Sequence, residues 1–382
     1  MNNRVRWKIS KRTKSSSRLR QWQLFGIGIL AGAAVLMLRL TADKLNQSEA
    51  VVSPSIQQVH APIQAAASPP DLPQRPSTDA ASIQENRESK PVTRSVVENV
   101  RVRVYINEDK RVETLPLERY VRGVLAGEMP ITFELEALKA QAIAARTYII
   151  RRLENKEHKT DMSVPNADVT NTVEHQVYIP QLKLMKLWPA DKRAANLEKL
   201  NRAIDETRGL IITYDGNPIE AAFFSTSNGY TENSEEYWDM SVPYLRSVAS
   251  PWDQLISPKY MATQTFKLTE FYQLLGAGKK AGELKVLAKT AGNRIKSIRI
   301  GSKVYTGREV REKLGLASSE FSWKKSGDSI TITTYGYGHG VGMSQWGANG
   351  MAEAGEEAAD ILRHYYSGTK VEQARKLPTQ KS

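Results

Sequence analysis

The 382-residue sequence contains no cysteine. It therefore has no disulfide framework and no thiolate zinc site. Histidine is scarce: His60, His158, His175, His339 and His364. None falls in an HExxH pair, so a zincin-type centre is excluded. No serine occupies a G-x-S-x-G elbow, no glycine loop is followed by Lys-Ser/Thr, and no Rossmann spacing is present. No internal repeat is visible. The net charge of +13 raises the question of nucleic acid, but the body has no dense basic stripe with interleaved aromatics. Acids are missing altogether from residues 1–20, where Arg4, Arg6, Lys8, Lys11, Arg12, Lys14, Arg18 and Arg20 supply +8. The rest is only mildly basic, which suits a surface approaching an anionic wall or membrane.

One long apolar run is present. Leu24 to Leu38 holds only apolar residues and glycine, and Trp22 and Leu40 extend it. A membrane span needs about 20 apolar residues, with ~17 at the low end. Basic residues before the run and few after it give an N-terminus in the cytoplasm and a body outside the membrane. A cleaved signal peptide is the competing reading, but Arg39-Leu40-Thr41-Ala42 is a poor cleavage site. The expected organisation is a basic cytoplasmic tail (1–21), a single-pass anchor (22–40), a Pro/Ser/Gln-rich linker (41–98), a catalytic domain (99–373) and a tail (374–382). A flexible linker of this length reaches roughly 40 Å.

Order is expected from about Val100. VRVRVYI (100–106) alternates as a strand with one buried face. Pro116 opens a helix whose Leu117, Tyr120, Val121, Val124 and Leu125 form one apolar stripe, with Gly127 as its C-terminal cap. A second, alanine-rich helix is expected over 134–153 and another over 189–207. LIITYDGNPIEAAFFS (210–225) reads as a hairpin about Asp215-Gly216. A helical patch near 268–275, strands near 295–305, a capping box at TGRE (306–309), a strand at 329–335 and a helix near 355–366 follow. Helices and hairpins without regular βαβ alternation predict an α+β fold with antiparallel sheet.

Two stretches invite chemistry. In GEMPITFELEALKAQAIAARTYIIRR (127–152), Glu128 stands at the corner between two helices. It is either a solvated or capping carboxylate, or a general acid. An acid working near neutral pH needs a pKa about two units above the free value near ~4.3, at a cost of roughly 2.7 kcal/mol supplied by desolvation. The N-terminus of the second helix would oppose this by ~0.3–1 kcal/mol, so Met129, Pro130, Ile131 and Phe133 must shield the carboxyl. In GYGHGVGMSQWGANG (336–350), glycines flank His339, either as a turn or as a cleft floor. SVPYLRSV (241–248) is either a surface loop or a sugar groove using Tyr244 and Arg246.

RYVRGVLAGEMPITFELEALKAQAIAARTYII (119–150), DVTNTVEHQVY (168–178), FFSTSNGYTENSEEYW (223–238), PYLRSV (243–248), YGYGHGVGMSQWGANGMA (335–352) and ILRHYYSGT (361–369) resemble, in order, the stage II sporulation protein D family. The resemblance implies a lytic transglycosylase that cuts peptidoglycan glycan strands during forespore engulfment. The family's catalytic Glu, in its E-M-P motif, corresponds to Glu128. Arg146 corresponds to the Arg of the A-A-R-T-Y motif and is expected, with Tyr244, Arg246 and His339, to bind substrate. Some relatives bind zinc through His and Cys near 161–178. This chain has His175 there and no Cys, so no metal or other cofactor is expected. The implied partners are glycan strands stripped of stem peptides, a cell-wall amidase and a membrane protein of the engulfment machinery. Some members instead enhance an amidase without catalysis of their own. Glycoside hydrolysis ordinarily needs two carboxylates, and the enzymatic rival is a muramidase whose second carboxylate is Glu232 or Glu235. Lytic cleavage needs one.

Overall fold

The computed structural model describes residues 99–157, 166–278 and 282–374. The basic tail, apolar run and linker expected within 1–98, and residues 375–382 of the expected tail, lie outside the described residues. Among the described residues, no helix is long and apolar enough to cross a membrane.

The first strand, β1 (Arg101–Ile106), alternates as expected, with Val102, Val104 and Ile106 fully buried. It pairs antiparallel with β2 (Arg111–Pro116). Pro116 then caps α1 (Leu117–Glu128), a position that suits a residue with fixed φ and no N–H. The buried face of α1 is the apolar stripe read from the sequence. Its end differs. Gly127 is not the cap; the helix continues through Glu128 and Met129 is the cap residue, extended at φ −120°. Pro130 is the cause, because the residue before a proline is driven out of the helical region. After a turn, Glu134 caps α2 (Leu135–Glu154), whose alanines pack with no exposed surface.

Beyond it, β3 (Val169–Thr170) adds to β1 in parallel, and α3 (Ala190–Glu206) leans on α2. The expected hairpin forms between β4 (Leu210–Tyr214) and β5 (Asn217–Pro218), with Asp215 and Gly216 both at positive φ, as a tight two-residue turn requires. It is shorter than expected. Instead of continuing along β4, the chain forms β6 (Phe223–Phe224), which pairs elsewhere.

Residues 261–335 build a second apolar core. It contains β7 (Met261–Lys267), α4 (Leu268–Leu275), β8 (Leu284–Lys289), β9 (Ile295–Ile300), β10 (Lys303–Thr306), α5 (Gly307–Leu314), β11 (Phe321–Ser326) and β12 (Ser329–Tyr335). These form two three-stranded antiparallel sheets covered by the two helices. The capping box expected at TGRE is present, with Thr306 and Glu309 bonding reciprocally.

The chain then returns to the first core through β13 (Met343–Ser344), parallel to β6. Next come α6 (Gln345–Glu353), α7 (Ala358–Tyr365) and β14 (Lys370–Gln373), which pairs with β4. Sequence reading took 336–350 as a glycine-rich loop and missed α6. Its glycines are there for space: a Cβ at Gly347 would lie 2.1 Å from the Tyr365 hydroxyl, and one at Gly350 2.4 Å from Trp252 Cβ. The described body is α+β, mostly antiparallel, without a closed barrel.

Candidate active site

Glu128 is the last residue of α1, not a residue outside it. That matters for its charge. A carboxylate at a helix C-terminus faces the negative end of the dipole. The expected opposition from the N-terminus of the next helix is thus replaced by a field acting the other way. The side chain is half-buried. Its Oε1 accepts the Val177 N–H at 2.7 Å, and the side-chain amide of Gln345 favours the charged carboxylate as a donor. Burial pushes the carboxyl up to about 7, against the pull of these two donors, and no second carboxylate among the described residues contributes. The shielding is apolar in part: Met129 and Phe133 are buried, and Phe133 meets the edge of Trp346 at 4.7 Å.

Two glycines bring the 177–179 segment to Glu128. A Cβ at Gly123 would fall 2.3 Å from the Tyr178 ring, and one at Gly127 2.6 Å from the Val177 carbonyl oxygen. Close approach, not chain reversal, is the reason for Gly127. Gln345 is delivered from the other side. The glycines of 336–342 have positive φ. Their bare Cα atoms lie against neighbours: Thr226 for Gly336, Phe224 for Gly338, the Arg294 guanidinium for Gly340 and Ala222 for Gly342. The segment is pinned at Ser344. Its hydroxyl bonds to Asp253, which is fully buried and also accepts from Ser227 N at 2.8 Å and Ser250 Oγ at 2.7 Å.

Arg146 does not reach a groove. It is 0% exposed, bonded to Glu118 at 2.8 Å and to the Leu210 carbonyl at 3.1 Å. Its ion pair ties α2 to the start of α1 and to β4, which corrects the expected substrate contact. Tyr244 is half-buried, with its ring 5.3 Å from Tyr214 and its hydroxyl accepting the Glu220 N–H at 2.9 Å. His339 and Arg246 belong to one neighbourhood. His339 lines a cleft of ≈ 430 Å³ with Glu232, Glu235, Tyr237 and Arg294, and Arg246 holds Glu235 at the rim. Tyr237, Trp238 and Phe224 surround the imidazole at 5.4–5.7 Å. Burial, helped by Arg311 and Arg294, pushes His339 down to about 4, so it is neutral at pH 7. Glu128 does not line this cleft.

The alternative second carboxylates are both engaged. Glu232 is buried against Arg294 at 3.0 Å and Thr290 at 2.7 Å. Glu235 is held down to about 2 by Arg246. His175 accepts at Nδ1 from the Thr170 N–H at 3.3 Å, and among the described residues no group of three or more His, Asp or Glu could hold a metal ion. Sequence reading missed Gln345, Val177 and Asp253. The signal for Gln345 in the sequence is a polar residue opening a helix directly after the glycines of 336–342.

The family model described as stage II sporulation protein matches residues 105–214, the stretch carrying Glu128 and Arg146. Stage II sporulation protein D of Bacillus amyloliquefaciens is 47% identical over 297 residues, covering 77% of this chain and 85% of that protein. Its counterpart in Bacillus subtilis is 48% identical over 278 residues, covering 72% and 80%. The chain belongs to the stage II sporulation protein D family. A more distant relative, the amidase enhancer of Bacillus subtilis, is 31% identical over 304 residues, covering 65% of this chain and 40% of that protein. For this sporulation protein D family member, the pattern-based ambiguity at Glu128 narrows: the carboxyl is shielded, accepts the Val177 N–H and feels no second carboxylate among the described residues.

Proposed function

We propose that this protein is a membrane-anchored lytic transglycosylase that cuts peptidoglycan glycan strands during engulfment of the forespore. The observation that carries the reading is the single shielded carboxyl of Glu128, raised to about 7 by burial. At that value it is about half protonated at neutral pH, where both acid and base forms are available. Glu128 first gives its proton to the oxygen joining N-acetylmuramic acid to N-acetylglucosamine. The C1–O bond breaks and the leaving sugar departs with a free 4-hydroxyl. The muramic acid 6-hydroxyl then forms a bond to its own C1 while Glu128, now a carboxylate, accepts its proton. No water is consumed, and the product ends in a 1,6-anhydro ring. Tethering of nucleophile to electrophile removes the need for a second activating group.

Arg246, His339 and Tyr244 are proposed to contact the strand away from the cut, His339 through the ≈ 430 Å³ cleft it lines and Arg246 beside it through its pairing with Glu235. Stripped glycan as preferred substrate, a cell-wall amidase as partner, and an engulfment membrane protein belong to the same proposal. Similarity to an amidase enhancer favours one second reading, a glycan-binding protein that stimulates an amidase without cutting. Digestion of stripped and intact strands, with products identified by mass, separates the two. The enzyme reading predicts anhydro ends from wild type and none from Glu128→Gln; equal products from both would defeat it.

A further inference from the structure

We propose that the hollow lined by Arg101, Arg119 and Arg122 is a carboxylate subsite that reads the free lactyl carboxylate of muramic acid, and so selects strands whose stem peptides have been removed. The inference rests on the reading of peptidoglycan glycan as substrate. The hollow holds ≈ 340 Å³, and Glu113, Tyr178 and Gln181 are among its other walls. Arg119 and Arg122 stand one turn apart on α1, where like charges repel. Arg122 is half-buried and bonds to neutral amides, Asn201 Oδ1 at 3.2 Å and Gln181 Oε1. Its Nε is buried with no hydrogen-bond partner among the described residues, a costly state that calls for a role. Arg119 is exposed and has no ion-pair partner among the described residues. Glu118 and Asp205 share a second hollow with these two arginines, but each already has its own partner, Arg146 at 2.8 Å and Arg208 at 2.8 Å. Glu113 is 4.0 Å from Arg111, outside the hollow. Three arginines against one glutamate leave the hollow positive.

A guanidinium presents paired N–H donors that match the two oxygens of a carboxylate. The stem peptide joins muramic acid through an amide at the end of its lactyl arm. Hydrolysis of that amide frees a carboxylate on the sugar; while the peptide is attached, the same carbon is neutral. The hollow is placed to meet this group. Residues 177–179 edge both Glu128 and the hollow. The Val177 N–H donates to Glu128 Oε1 at 2.7 Å, the Tyr178 ring lines the hollow, and the Ile179 N–H donates to the Gly123 carbonyl at 3.1 Å. Gly123 lets the segment lie this close, since a Cβ there would fall 2.3 Å from the Tyr178 ring. Glu128 and Arg122 belong to one helix, separated by a rise of about 9 Å. That is within reach of a neighbouring sugar on a strand held at Glu128.

The test is binding of stripped strands to the full chain carrying Glu128→Gln, set beside the same strands with their carboxylates capped as methylamides. Stripped strands should bind about tenfold more tightly than capped ones. Adding Arg119→Gln or Arg122→Gln should weaken binding of stripped strands several-fold and leave capped strands unchanged, and the two together should bind both alike. Arg122→Gln gives up the bonds to Asn201 and Gln181; if it does not fold, Arg119→Gln decides the matter, with Arg119→Lys restoring part of the preference. Equal binding of stripped and capped strands before any arginine is changed, or an undiminished preference in folded Arg119→Gln, overturns the proposal. Inorganic phosphate is the competing probe. If it binds in an Arg119-dependent way while stripped and capped strands bind alike, the hollow takes a phosphate-bearing ligand and the proposal fails. The binding ratio is independent of the product chemistry. Wild-type products without anhydro ends would defeat the lytic reading while leaving the subsite to be decided by the ratio.

Discussion

Glu128 is the residue on which the account turns, and its environment sets two consequences with opposite signs. As an acid, it must hold a proton to begin the reaction. With the carboxyl near 7, the rate should fall about tenfold per pH unit above that value. For stability, the folded state holds this proton more tightly than the unfolded chain does. The resulting stabilisation is complete below the ordinary glutamate value of 4.5 and is lost as pH rises through about 7, a loss on the order of 3 kcal/mol at most. Glu128→Gln should therefore remove cleavage while making the protein more stable than wild type at pH 8 and similar at pH 4. Thermal melts at the two pH values check this; equal destabilisation at both would show that the carboxyl is not shielded. The position of Glu128 was legible because Pro130 and two amphipathic helices bracket it. Its partners were not, since Val177 and Gln345 arrive from segments 49 and 217 residues away, counted along the sequence. Arg146 misled for the same reason. A motif shows that an arginine matters but not whether it faces substrate or, as here, Glu118.

At the scale of elements, periodicity and capping chemistry were readable wherever a segment's own residues decide its shape. β1, α1, α2 and the Thr306 capping box are of that kind. Where tertiary fit decides, local signals pointed elsewhere. The glycines of α6 and the last turn of α1 look like breakers, yet they stand where another segment of the same chain lies too close for a Cβ. Gly127→Ala tests this directly. Its methyl would meet the Val177 carbonyl at 2.6 Å, so one segment must move. The variant should lose about 1–3 kcal/mol of stability. Because the Val177 N–H moves with its carbonyl, the alkaline limb of the rate profile should also shift upward. A stable variant with an unshifted limb would mean that the approach of Val177 to Glu128 does not depend on Gly127.

At the scale of the whole molecule, two apolar cores share one chain, and polar groups join them. Arg294 precedes Ile295 of the second core, while Glu232 bridges to Val341 of the first; both are nearly without exposed surface, and they pair at 3.0 Å. Burial pushes Arg294 down and Glu232 up despite the pairing. Arg294→Met should cost about 3–5 kcal/mol by stranding Glu232, and adding Glu232→Leu should recover much of that; denaturation of the single and double variants measures it. The proposed anchor makes a separate prediction. A tag fused to the N-terminus should remain on the membrane-bound protein through an alkaline wash. Its loss from mature protein would mean that residues 1–40 are cleaved.

The central claim is that one carboxyl cuts the strand without water. Glycan strands stripped of stem peptides, incubated with the full chain and resolved by mass spectrometry, test it most directly. The account predicts 1,6-anhydromuramic acid ends that form with wild type and are absent with Glu128→Gln. Reducing ends carrying oxygen from labelled water, or uncut strands with wild type, would contradict it.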